Sequence, residues 1–125
     1  MFDQFKMMGA VAGLLKNREQ IKAAGERVQR RLEAMRIEGE SEGGLARAVV
    51  SGKMEVLSID IAPALASGLG SGDEQNRAMA AGLIAGAVNQ ALRKAQAAVA
   101  EAIDEEGERL GLPGLGEQLG QMLPR

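Results

Sequence analysis

Basic side chains are concentrated at the start of the chain, where they could bind an anionic partner. Residues 1–37 hold eight lysines and arginines against four acids, whereas residues 38–125 hold seven against thirteen. This asymmetry is a mild pointer to an anionic partner for the first segment. Ordinary solvated helix faces carry the same side chains, so that alternative stays open. The cations concerned, here called the basic set, are Lys16, Arg18, Lys22, Arg27, Arg30, Arg31, Arg36, Arg93 and Lys94.

The sequence offers little other chemistry. The chain has no Cys and no His, which removes the usual zinc ligands and the commonest general base. The carboxylates of Asp104, Glu105 and Glu106 are adjacent on a predicted helix end, so they do not converge on one metal ion. The glycines at 39–44 are not followed by the Gly-Lys-Ser/Thr of a phosphate loop. We therefore expect no enzyme, no catalytic residue, no cofactor, no metal site and no small-molecule substrate.

Most of the basic set falls on a predicted first helix. Apolar residues recur from Val11 to Met35 at alternating spacings of three and four if Arg18 and Gly25 are counted in the series. This is a heptad seam, weakened at two positions. It predicts a helix over residues 11–36, roughly 39 Å long at 1.5 Å per residue.

A glycine-punctuated segment follows and predicts a three-stranded meander. Strands are expected at 37–41, 45–50 and 54–61, separated by turns at 42–44 and 51–52. In the third strand Leu57, Ile59 and Ile61 alternate with polar residues, so one face of this strand should enter a core. Pro63 should end the pairing, and residues 64–72 read as a loop of small residues.

A second long helix is predicted from a cap at Ser71 or Asp73 to about Glu106. Its stripe is rich in alanine, and Asn89 is expected to bond a strand, a loop or a partner chain. We assign residues 1–106 to one domain. Residues 107–125, rich in Gly, Leu and Pro, are expected to form a flexible tail.

The predicted helices are longer than the sheet that would have to cover them. With two Phe, no Trp, no Tyr and no Cys, the chain can neither build a thick core nor staple it with disulfides. Oligomerisation is the remaining device, so we expect an α+β homodimer with projecting helices. The longest early apolar run, residues 7–15, is too short for a bilayer, and we expect no membrane partner and no signal peptide.

Four short motifs occur in a set order over residues 10–100. They are Gly39-Glu40-Ser41, Gly44-Leu45, Ile59-Asp60-Ile61 with Pro63 and Leu65, and Ala85…Val88-Asn89-x-Ala91-x-Arg93-Lys94. In this order they resemble the YbaB/EbfC family of bacterial nucleoid-associated proteins. The resemblance implies an α-β-β-β-α protomer and a dimer whose helices stand out like tweezers.

The resemblance also implies a function. It implies sequence-independent binding of double-stranded DNA in the cytoplasm, at the nucleoid, with compaction of DNA and broad effects on gene expression. The basic set would supply the phosphate contacts, which need no base recognition. No enzymatic activity is implied.

A second function, a protein-interaction scaffold with weak or lost DNA binding, remains open. The pI of about 5.3 is low for a DNA-binding protein. Ala62, Ala81 and Gly82 replace acidic residues that are usual in the family. A continuous positive stripe on the helices would favour DNA, whereas basic residues neutralised by acids would favour the scaffold.

Overall fold

The computed structural model describes residues 18–111, which form two long helices, one short helix and a three-stranded antiparallel sheet. The elements are α1 (Arg18–Ala34), β1 (Ile37–Glu40), β2 (Ala46–Val50), β3 (Val56–Ile61), α2 (Pro63–Leu69) and α3 (Glu74–Arg109). The α+β class and the order of helix, meander and long helix are as predicted. Residues 11–17 of the predicted first helix, and most of the predicted tail, lie outside the described residues.

Alanine forms most of the core between α3 and the sheet. Ala87, Ala91 and Ala95 follow one another at every fourth position of α3, and they lie with Ala46, Ala48 and Val50 of β2 in one buried cluster. Of the eleven buried apolar residues in the described chain, eight are alanine. Because each alanine side chain buries little apolar area, this core gives the fold only modest hydrophobic stabilisation.

Glycine allows β1 to lie directly against α3. A β-carbon at Gly39 would overlap the carbonyl oxygen of Ala87 and the amide nitrogen of Ala91. Both atoms belong to the helix backbone and cannot rotate away. Position 39 therefore excludes every side chain, which explains why the first strand carries a glycine at its buried position.

The two hairpin turns use different chemistry. At the first turn Gly43 and Gly44 adopt left-handed φ angles of 72° and 69°, as expected of glycine. At the second, the left-handed residue is Met54, with φ 64°. Gly52 instead lies against α1, where its amide donates to the carbonyl oxygen of Leu32 over 2.9 Å. This turn therefore fixes the C-terminal end of α1.

The prediction that β3 buries one face is wrong for the single protomer. Ile61 and Ile59 lie opposite Ala46 and Ala48, on the helix side of the sheet, but α3 covers β1 and β2 and scarcely reaches β3. A bulge between Val49 and Val50 also places Val56, not Leu57, opposite Val50. The apolar side chains of β3 are 40–45% exposed. This β3 ledge consists of Val56, Leu57, Ile59 and Ile61.

Helix α2 consists of Pro63, which was predicted to end the strand pairing, and residues 64–69, which were predicted as part of a loop. Pro63 needs no hydrogen-bond partner for its nitrogen in a first helical turn, and Leu65 is buried in the core. The capping of α3 follows expectation, since the carboxylate of Asp73 accepts from the amide of Gln75 over 2.9 Å. Helix α3 continues to Arg109, three residues beyond the predicted end.

Candidate nucleic-acid interface

Two arginines of the basic set pair with acids on α3. Arg27 contacts Glu106 over 3.2 Å, and Arg31, one helical turn further on, contacts Glu105 over 2.6 Å. The hydrogen bond from Arg31 to Glu105 raises the pKa of this guanidinium, so Arg31 stays charged. Both arginines therefore hold α1 against α3, and part of their charge is neutralised within the protomer.

Two further members of the basic set donate to backbone carbonyl groups near the start of β1. Arg36 donates from Nη1 to the carbonyl oxygens of Glu33 and Met35, over 2.9 and 2.8 Å. Lys94 of α3 donates from Nζ to the carbonyl oxygen of Glu38 over 3.2 Å. These bonds leave both cations exposed and bring them to one corner of the molecule, although they come from distant parts of the sequence.

Four further cations of the basic set are exposed and form neither an ion pair nor a side-chain hydrogen bond with another residue of the described chain. They are Arg18, Lys22, Arg30 and Arg93. At about 100° per residue, Arg18 and Lys22 share one flank of α1, while Arg30 lies on its outer side. Arg93 lies roughly 18 Å along α3 from Glu105, at 1.5 Å per residue. These four exposed cations thus lie on both long helices, and Lys16 lies outside the described residues.

Acidic residues border the basic ones at the far end of α3. Glu101, Asp104, Glu105, Glu106 and Glu108 lie within eight consecutive residues of this helix. Glu106 is buried, and its carboxylate contacts Arg109 over 3.5 Å as well as Arg27. An anionic ligand approaching α1 from the α3 side therefore meets repulsion, so the flank with Arg18 and Lys22 is the more accessible one.

The predicted seam of α1 faces α3 of the same chain. Ile21, Gly25 and Val28 line one wall of an open apolar groove of about 300 Å³, and Ile103 and Leu110 of α3 line the other. A heptad seam can serve contact with a second copy as well as contact within one chain. In the described residues it serves contact between the two long helices of one protomer.

The contact with the strand expected of Asn89 is made by its neighbour, while the contact of Asn89 with a partner chain stays a prediction. Asn89 is exposed, whereas Gln90 accepts from the amide of Glu40 through Oε1 over 2.7 Å. An amide side chain therefore does bond the strand, but it belongs to Gln90 and not to Asn89. At 100° per residue, that displacement decides which of the two side chains faces the sheet.

Two other kinds of site are absent from the described residues. No cluster of three or more potential metal-ligating side chains occurs in residues 18–111. Within the same part of the chain, no helix combines the length and the apolarity that a membrane span requires.

Comparison with known proteins places this fold among bacterial nucleoid proteins. A nucleoid-associated protein of Synechococcus elongatus is 35% identical over 86% of this chain and 89% of its own length. One of Rhodopseudomonas palustris is 37% identical over 87% of this chain and 98% of its own. Residues 7–108 match the YbaB/EbfC DNA-binding family. The chain therefore belongs to the YbaB/EbfC DNA-binding family.

Proposed function

We propose that this protein binds double-stranded DNA at the bacterial nucleoid, with little preference for sequence. The observation that carries the proposal is the match of residues 7–108 to a DNA-binding family. The exposed cations Arg18, Lys22 and Arg30 support it, because lysine and arginine gain affinity by releasing counterions from phosphates. With two Phe and no Trp or Tyr, the chain has little to stack on unpaired bases, which favours duplex over single strands.

The functional unit in this proposal is a homodimer joined at the β3 ledge. The ledge lies on an edge strand, and its four apolar side chains are 40–45% exposed. At the opposite edge, Gln90 and Lys94 bond the backbone of β1 and obstruct pairing with another strand. A second copy seated on β3 would cover the ledge and thicken a core made largely of alanine.

Dimerisation would also determine what the protein does to DNA. Each dimer carries two copies of α1, and therefore two groups of cations in one assembly. Two groups can contact separate duplex segments or one bent segment, since phosphate contacts require no particular sequence. Compaction of DNA and broad effects on gene expression follow in this proposal from such bridging.

Fluorescence anisotropy with two labelled duplexes of unrelated sequence tests the proposal. We expect similar affinities for both, and a fall in affinity of several orders of magnitude between about 50 and about 200 mM salt if six or more phosphates are contacted. The triple variant Arg18→Gln, Lys22→Gln, Arg30→Gln should bind more weakly. Its slope of log K against log salt should become shallower by about 0.9 for each phosphate that the variant no longer neutralises.

Arg47→Gln is the matched control for that variant. Arg47 is a cation outside the basic set, on the outer face of the sheet, and pairs with Glu40 over 2.8 Å. Its substitution should leave the affinity and the salt slope almost unchanged. Absence of binding by the wild-type protein at about 10 μM dimer in low salt refutes duplex binding.

The scaffold function is the second candidate, and one observation favours it. Arg27 and Arg31 are paired with acids, so part of the charge of the basic set is neutralised within the protomer. If duplex binding fails in low salt while the dimer persists, a protein partner becomes the better account. The same titration therefore separates the two functions.

A further inference from the structure

The two ion pairs between α1 and α3 differ in how firmly they are held. The side chain of Glu106 is only 10% exposed and contacts two arginines, Arg27 and Arg109. Removing Arg27 from it would strand a carboxylate that water can hardly reach. The pair of Arg27 and Glu106 is therefore part of the packing between the helices, and Arg27 is committed to it.

The neighbouring pair of Arg31 and Glu105 is open to solvent. The side chain of Arg31 is 43% exposed and that of Glu105 48% exposed. Ion pairs of this kind contribute little to stability, because water solvates both partners well when they separate. Another anion can therefore take the place of Glu105 at small cost, and a phosphate group, with several acceptor oxygens, suits a guanidinium.

We propose that Glu105 is an internal competitor for DNA, which occupies Arg31 in the free protein and gives it up to a backbone phosphate when duplex binds. This inference rests on the proposed DNA binding and concerns its regulation. Arg31 is then a reserve contact, engaged only after Glu105 is displaced. Arg27, one turn away, stays bound to Glu106 in the free and bound states.

The competition has a defined physical consequence. Part of the attraction between Arg31 and a phosphate goes into displacing Glu105, and the displaced carboxylate still repels the duplex nearby. The affinity for duplex DNA is therefore lower than the number of exposed cations alone would give. A protein that must leave DNA readily, so that other proteins can reach it, benefits from such a limit.

Glu105→Gln in the full chain tests the competition, with duplex affinity measured by anisotropy as a function of salt. Glu108→Gln is the matched control, since it removes one negative charge from the same helix three residues away, and no ion pair of Glu108 occurs within residues 18–111. We expect Glu105→Gln to bind about two- to fivefold more tightly than Glu108→Gln. The slope of log K against log salt should change little, because Arg31 neutralises a phosphate in the bound state with or without Glu105.

The double variant Glu105→Gln, Arg31→Gln tests whether the gain in duplex affinity depends on Arg31. If the gain passes through Arg31, then Arg31→Gln should abolish it in the Glu105→Gln background and cost little affinity in the wild-type background. Equal affinities of Glu105→Gln and Glu108→Gln would overturn the inference while leaving the proposed function intact. Failure of the wild-type protein to bind duplex would remove the proposed function itself, so the two failures are distinguishable.

Discussion

The amide of Glu40 in β1 donates to Oε1 of Gln90 in α3 over 2.7 Å. One helical turn further along, Lys94 donates to the carbonyl oxygen of Glu38. Two side chains of one helix thus occupy a donor and an acceptor of the backbone at the free edge of β1. The sheet is consequently asymmetric, with one edge obstructed by its own helix and the other edge, at β3, open and apolar.

Gln90→Ala should weaken the fold and uncover this edge. Removal of one hydrogen bond at a partly exposed site should cost about 0.5–1.5 kcal/mol in the free energy of unfolding, measured by urea denaturation. The exposed strand edge should also raise self-association, measured by light scattering. Asn89→Ala, one position away and exposed, is the control and should change the unfolding free energy by no more than about 0.5 kcal/mol. Equal effects of the two substitutions would contradict the role given to Gln90.

Gly39→Ala should be among the most damaging single substitutions in the chain. The new methyl group would meet backbone atoms of Ala87 and Ala91, so relief requires separation of β1 from α3. We expect a decrease of about 3 kcal/mol or more in the free energy of unfolding. Gly82→Ala is the contrast, because a β-carbon there meets nothing within 4 Å. In a helix interior it should stabilise the protein by about 1 kcal/mol.

Gly82→Ala also tests where the dimer interface lies. If the dimer forms at the β3 ledge, the outer face of α3 is solvated and the added methyl group is harmless. A large decrease in stability with Gly82→Ala would instead place a partner chain against this face of α3, and the proposed interface would be wrong.

Ile59→Lys should dissociate the proposed dimer. Ile59 lies in the centre of the β3 ledge, and a buried ammonium without a partner is costly enough to oppose association. Size-exclusion chromatography with light scattering should show the mass of two chains for the wild-type protein and of one for the variant. Ser58→Lys, on the opposite face of the same strand, should remain dimeric. A dimer that survives Ile59→Lys would exclude the ledge as its interface.

Arg27→Ala should lower the free energy of unfolding more than Arg31→Ala does, although each substitution removes one positive charge from α1. Arg27→Ala leaves the nearly buried Glu106 with Arg109 alone, and we expect a decrease of about 1–2 kcal/mol in the free energy of unfolding by urea. Arg31→Ala breaks a solvated pair and should cost at most about 1 kcal/mol. The reverse order would show that Arg31, and not Arg27, holds the two helices together.

Periodicity predicted the elements well because each long element has a pattern that only one structure satisfies. The alanine stripe of α3 has the period of a helix, and the glycines before Leu45 suit the left-handed φ angles of a turn. Helix α2 escaped prediction because Pro63 was interpreted only as the end of a strand, although proline also suits the first turn of a helix. Asn89 and Gln90 could not be ranked, since the rotation of α3 over the sheet depends on tertiary packing.

The candidate interface was harder to predict than the fold. The nine cations of the basic set are all visible in the sequence, yet their availability depends on which acids the fold brings near them. Arg27 and Arg31 lie 74 or more residues from Glu105 and Glu106 along the chain, so no local pattern reveals the pairs. The β3 ledge was predicted as a core face because alternation reports which side of a strand is apolar, and not whether a helix extends over it.

The bond between Gly52 and Leu32 fixes α1 at one end only, while its other described contacts include two ion pairs across an open groove. Helices held in this way exchange their amide hydrogens through partial opening, without unfolding of the whole domain. The amides of residues 21–28 should therefore exchange with deuterium sooner than those of residues 87–95 beneath the sheet. Helix α1, which carries five of the nine cations of the basic set, is in this sense a separately opening unit, and binding of a polyanion to it should slow the exchange of its amides.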